Sequence, residues 1–173
     1  MASAQHEFTV ITVLVLVFAA FSAYAITNGR AYIRDDLRQQ DITHLKQALE
    51  RYYNVHEYYL TPPNGRNGCT SSGEGSWFFG NANSLLQEQH IDAIPHDVRE
   101  AKGFVYKYCA TQSAQNRTTG YYLEAQLESN KHPGTYFDED ESRKFTYVIT
   151  QEGARTLYRV CGGNEPLCEP TKK

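Results

Sequence analysis

Residues 8–26 read FTVITVLVLVFAAFSAYAI: nineteen positions without a charge, in which only Thr9, Thr12 and Ser22 carry polar side chains other than the Tyr24 phenol. At about 1.5 Å per residue a helix of this length reaches roughly 28 Å, close to the ~30 Å hydrocarbon core of a bilayer. Small hydroxyls in such a segment bond back to their own helix backbone, so lipid can solvate the whole run. The run has no proline at its exit, and none follows until Pro62. A membrane-length helix is therefore expected to pass without a break into an amphipathic one.

The amphipathic part has Ile33, Leu37, Ile42, Leu45, Leu49, Tyr52 and His56 recurring at three to five residues, with Arg34, Asp36, Arg38, Lys46, Glu50 and Arg51 expected on the other faces. Asn28-Gly29 is a weak point, where a bend or local melting is expected because glycine costs up to about 1 kcal/mol relative to alanine. The helix should stop near residues 58–60, ahead of Pro62 and Pro63. Residues 64–75, rich in Gly, Asn and Ser around Cys69, read as a surface loop. A short helix is expected next, capped by Asn83 or Ser84, carrying Leu85, Leu86 and Ile91, and ended by Pro95.

Beyond it, residues 104–108, 121–127, 145–149 and 157–160 alternate as strands of an antiparallel sheet. Tyr121, Leu123, Ala125 and Leu127 share one face, expected to be buried under the helix; Tyr122, Glu124, Gln126 and Glu128 face water. The fold class is α+β: a long N-terminal helix packed on an antiparallel sheet. The chain divides into a tail or leader (1–7), a membrane or filament-core helix (8–29) and an extracytoplasmic α+β domain (30–173).

Cys69, Cys109, Cys161 and Cys168 all lie beyond the span, an even set suited to an oxidising compartment. No CxxC spacing suggests zinc, and the preferred pairing of the three available is Cys69–Cys109 with Cys161–Cys168. Four reduced core thiols are the alternative. Arg30, Arg34 and Arg38 oppose the extracytoplasmic placement, because basic residues after a span favour the cytoplasm. A cleaved secretory signal is a competing reading, with Ala23-Tyr24-Ala25 as its cleavage site, although no Lys or Arg precedes the apolar core.

The residues also carry a family resemblance. Phe8-Thr9-Val10-Ile11 resembles the opening of the apolar helix in type IV pilins and in the pseudopilins of type II secretion. Arg34-Asp35-Asp36-Leu37-Arg38, Asp41-Ile42, Leu45, Ala48-Leu49 and Tyr52-Tyr53, followed by Tyr58-Tyr59-Leu60-Thr61-Pro62, resemble that family's helix exit. Ile94-Pro95-His96-Asp97, Tyr106-Lys107-Tyr108 and Tyr121-Tyr122-Leu123-Glu124-Ala125-Gln126-Leu127-Glu128 are similar to its later elements. The resemblance implies a pilin-like fold and an inner-membrane, single-pass protein with its C-terminal domain outside. It also implies assembly with copies of itself or other pilin-like subunits into a pilus or pseudopilus on the cell surface. A prepilin peptidase, an assembly platform and a cytoplasmic ATPase are the partners implied.

Two positions depart from the pattern. Glu7 stands before Phe8 where the family has the glycine of its processing site, and Thr12 stands where the family usually has a glutamate that neutralises a neighbour's N-terminal amine. Some minor, tip-located members of the family also lack that glutamate, so a tip or initiating subunit is one expectation and a non-assembling anchored relative another. Assembly would rest on close packing by the small residues Ala19, Ala20, Ser22, Ala23 and Ala25. An ordinary single-pass anchor with an Ala-rich half is the plainer reading of the same residues.

Enzymatic chemistry has no candidate: the six histidines include no HxxxH, and GxSxG and GxxxxGK[ST] are absent. Asp138, Glu139 and Asp140, with Glu141, offer oxygen ligands for a calcium loop, or form a solvated charged turn. Asn116-Arg117-Thr118 matches the N-glycosylation pattern. Net charge −3 without a basic cluster argues against a nucleic-acid partner. The 13 tyrosines are read as sheet packing, or as an adhesive surface of a monomeric binding module.

Overall fold

The computed structural model describes residues 2–62, 68–72, 85, 88–112, 117–129, 131, 134–140 and 143–163. One helix, α1 (Ala2–His56), runs for 55 residues, about 80 Å. It passes through Asn28-Gly29 in unbroken helical conformation, contrary to the local melting expected there. One weak residue does not end a helix that is strongly favoured on both sides, because propagation has no new nucleus to form. The stop comes at His56, before the prolines act: Glu57 takes a left-handed conformation at φ 63° and donates its N–H to the Tyr53 carbonyl at 2.8 Å.

The described strands are β1 (Cys69–Ser71), β2 (Tyr106–Gln112), β3 (Thr118–Leu127), β4 (Gly134–Asp140), β5 (Arg143–Glu152) and β6 (Arg155–Gly163). They form a six-stranded sheet in the order β1-β2-β3-β6-β5-β4. Every pairing is antiparallel. The result is the α+β arrangement expected, with two strands beyond those read from alternation. β1 lies inside the expected surface loop, and β4 was hidden by its polar and acidic residues. The short helix expected after residue 83 falls largely outside the described residues; Leu85 is helical and fully buried.

The sheet face expected to be buried is buried. Tyr121, Leu123 and Ala125 expose nothing and Leu127 almost nothing, because alternate β3 residues point at the helix. Ile42, Leu45, Leu49 and Tyr52 of α1 meet them, joined by Ala48, Tyr106, Tyr108, Ile149, Tyr158 and Val160. The spacing of 42, 45, 49 and 52 is one helical stripe. Ile33 and Leu37, assigned to the same stripe, remain exposed, because at about 100° per residue they lie on the face opposite the buried line of Asp35, Arg38, Ile42 and Leu45.

Buried phenols find partners: Tyr108 donates to the Leu60 carbonyl at 2.6 Å, Tyr106 to Asp41 at 2.6 Å and Tyr121 to Glu50 at 3.0 Å. The other face of β3 is less wet than alternation implies. Glu124 is buried and accepts from Arg159, its partner in register on β6, whose guanidinium lies 4.7 Å from the Tyr122 ring centre.

Candidate functional site

Two parts of α1 do different work. Residues 8–30 are exposed throughout, including Phe8 at 76%, Phe18 at 71% and Phe21 at 72%. No other part of the described chain covers them, and the helix is long and apolar enough to cross a membrane. Thr12 donates its hydroxyl to the Phe8 carbonyl at 2.8 Å, and Thr27 donates to the Ala23 and Tyr24 carbonyls. These hydroxyls are satisfied inside the helix, as lipid requires. Ala19, Ala20 and Ala23 lie on this exposed length, where their small side chains leave the backbone open to a close neighbour. Glu7, the atypical processing position, lies within α1, and its side chain is outside the described residues.

The exposed length ends at a cluster of charges. Arg38, expected on a polar face, is 1% exposed, and Asp35 is 0% exposed. The Arg38 guanidinium donates from Nε and Nη2 to both Asp97 oxygens, from Nη1 to Asp35 at 2.8 Å and from Nη2 to Glu128 at 2.8 Å. Arg34 adds a two-point contact with Glu128 at 2.7 and 2.6 Å, and Arg99 donates a single bond from Nη1 to the same carboxylate. Asp35 in turn accepts the backbone N–H groups of Glu128 and Ser129, each at 2.8 Å, and the Ser129 hydroxyl. The Phe104 ring lies under the guanidiniums of Arg38 and Arg99, at 4.5 and 5.2 Å.

Three arginines face three carboxylates, so the cluster is neutral as a whole, and each burial cost is offset by close, directed hydrogen bonds. Burial disfavours the Arg38 cation, but the bonds to Asp97, Glu128 and Asp35 outweigh it and hold its pKa above the ordinary value. The bond from Arg34, helped by Arg38 and opposed by burial, pulls the Glu128 carboxyl down to about 2. Chemically the cluster is a clamp: it fixes the angle at which the stalk leaves the sheet.

Its members come from the three separate segments singled out in the sequence: Arg34, Asp35 and Arg38 from the helix exit, Asp97 from the Ile-Pro-His-Asp element, and Glu128 at the end of the third strand. Their convergence was not foreseen. Apolar periodicity assigned Arg38 to another face, although Asp35 and Arg38 continue the spacing of Ile42, Leu45 and Leu49 toward the N-terminus. Arg34 and Arg38 are also two of the three basic residues that argued for a cytoplasmic domain, and both are occupied by carboxylates.

Cys69 and Cys109 are disulfide-bonded as expected, opposite each other in the β1/β2 register. Cys161 is disulfide-bonded too, and Cys168 lies outside the described residues. Asp138, Glu139 and Asp140 belong to β4, in register with Phe145, Lys144 and Arg143, instead of forming a loop. Their side chains and Glu141 are outside the described residues, so the calcium expectation has no geometry here. Asn116 is outside them as well, while Thr118 is fully buried with its hydroxyl paired to Thr61 at 2.9 Å. Comparison with protein-family profiles, characterised proteins and solved structures finds no match to this chain.

Proposed function

We propose that this chain is a structural subunit of a type IV pilus-like or pseudopilus-like filament. It is anchored by residues 8–26 in the inner membrane before assembly, with its sheet domain outside the cytoplasm. The observation that carries the reading is one uninterrupted helix whose apolar N-terminal half is fully exposed while its C-terminal half is the core of a disulfide-bonded domain. An exposed apolar surface of this length needs lipid or other helices around it.

Assembly would move the segment from lipid into a bundle of equivalent helices. Lipid and helices are similarly apolar, so the gain must come from packing, for which Ala19, Ala20, Ser22, Ala23 and Ala25 offer close approach. Thr12 is neutral and already bonded within its own helix. It therefore supplies no ionic registry, which suits a minor or tip position better than the repeating body of a fibre. The clamp at Arg38 would pass force between stalk and domain without relying on a hinge. The pairing of Cys69 with Cys109 supports the extracytoplasmic placement.

Electron microscopy of sheared surface filaments with antibody against this chain tests the reading. Labelled filaments, at their tips or along them, are the expected result. Label spread over the cell envelope, with the chain a monomer in detergent, would replace the proposal with an anchored binding module. Intact mass of the N-terminus adds an independent measure: loss of residues 1–7 and a methylated Phe8 would place the chain with processed pilins.

A further inference from the structure

We propose that His56, Glu88 and His90 form a binding site for a divalent transition metal of the zinc type. His56 is the last residue of α1, and the other two come from a segment more than thirty residues later; their ligand atoms lie within 4.8 Å of one another. The Nε2 atoms of His56 and His90 sit 2.7 and 3.1 Å from the same oxygen of Glu88. Ligands of one tetrahedral zinc at about 2.0–2.1 Å stand roughly 3.3 Å apart. Opening each histidine–Glu88 pair by a few tenths of an ångström would bring it to that spacing.

The histidines are held in place by one ring. Tyr52 stacks on His56 with centres 4.1 Å apart and meets His90 edge-on at 5.9 Å. Arg51, one residue before Tyr52, donates from Nε and Nη2 to the His90 carbonyl and ties the segment to the helix. Such support around the ligands orients imidazoles before the metal arrives. The side chains are 27% (His56), 37% (Glu88) and 12% (His90) exposed, so an ion can enter from solvent.

Two imidazole nitrogens and one carboxylate oxygen favour zinc, cobalt or nickel over calcium or magnesium, whose preferred ligands are oxygens. Each neutral imidazole would carry its proton on Nδ1 and present Nε2 to the ion, with the fourth position left to water. Bound metal would clip the end of the helix to the segment that carries Glu88, at the end of the domain remote from the membrane. Sequence spacing could not reveal the site, since the ligands lie on two segments and only the fold joins them.

The test is calorimetric titration of the detergent-solubilised full chain with zinc chloride at pH 7.5, with calcium chloride as the comparison ion. One zinc per chain with micromolar or tighter affinity is expected, together with a pink-to-blue tetrahedral spectrum on cobalt substitution. Glu88→Gln should weaken zinc at least about tenfold, and His56→Ala with His90→Ala should abolish it. His44→Ala, at an exposed histidine outside the cluster, should leave it unchanged. Circular dichroism checks that each variant is folded; Glu88→Gln preserves shape at a partly exposed position and keeps the test open if the double variant fails. No zinc binding by the parent chain, or binding unaffected by Glu88→Gln and lost with His44→Ala, overturns the proposal.

Discussion

Arg38 and Asp97, 59 residues apart in the chain, meet in a two-point ion pair where the stalk enters the sheet domain, and both side chains are only 2% exposed. The pair puts a fixed charge at the base of an apolar helix and neutralises it within the same domain. The exposed apolar helix therefore begins next to buried charges that are already matched.

Removing one partner of such a pair is costly because the other is left buried and unmatched. Arg38→Met should destabilise the domain by about 3–5 kcal/mol, read as a lower urea midpoint with an unchanged m-value. Arg34→Met, at the more exposed edge of the cluster, should cost about 1 kcal/mol or less. Equal losses from the two would show that the buried clamp is not the organising contact.

The pH dependence follows from Glu128. Its carboxyl is held down to about 2 in the folded chain by Arg34 and then Arg38, with Arg99 facing it from the adjoining segment. Unfolded, it titrates near 4.3. A depressed folded pKa means that the contribution is complete above about pH 5, falls by up to about 1.4 kcal/mol per pH unit between the two values, and is gone below about pH 2. Urea midpoints at pH 7, 4 and 3 should show this decline. Glu128→Gln should be less stable at pH 7 and have a flatter profile through the same window.

Gly162 faces Tyr121 across the β3/β6 register, and a Cβ there would lie 2.3 Å from Tyr121 Cε1. The ring cannot swing away: it is fully buried, in edge contact with Tyr59 at 4.7 Å and bonded to Glu50. Gly162→Ala should therefore cost about 1–3 kcal/mol by thermal or urea unfolding. Gly153→Ala, at a turn with open space around the added methyl, tests a different cause. Its φ of 62° should cost about 1 kcal/mol through backbone strain alone.

Enlarging the small-residue surface separates membrane insertion from assembly. Ala20→Leu and Ala23→Leu leave the segment apolar, so the chain should remain in the membrane fraction with its domain stability within about 0.5 kcal/mol of the parent. If close packing drives assembly, recovery of the chain in sheared filaments should fall several-fold. Unchanged recovery would place the contact surface elsewhere on the helix.

Particular residues show where sequence reading succeeds. Tyr121, Leu123, Ala125 and Leu127 alternate, and a pleated strand with one buried face leaves little choice about where they point. Ile42, Leu45, Leu49 and Tyr52 are legible in the same way from helical spacing. Arg38 was misassigned because hydrophobic periodicity sends charge to solvent, and the groups that make its burial tolerable lie 59 and 90 residues away. β4 was missed because its acidic end resembles a loop in composition, whereas its pairing with β5 depends on a partner strand.

The order of the residues alone determined a membrane-length apolar helix running on into an amphipathic one, and an alternating sheet to receive it. These follow from local periodicity and solubility, which each segment carries within itself. Only tertiary structure decided that six charges close into a neutral clamp at the helix exit, that Cys69 is bonded to Cys109, and that His56 meets Glu88 and His90. A buried charge or a ligand set is stable only with its partners in place, and those partners are distant in the chain.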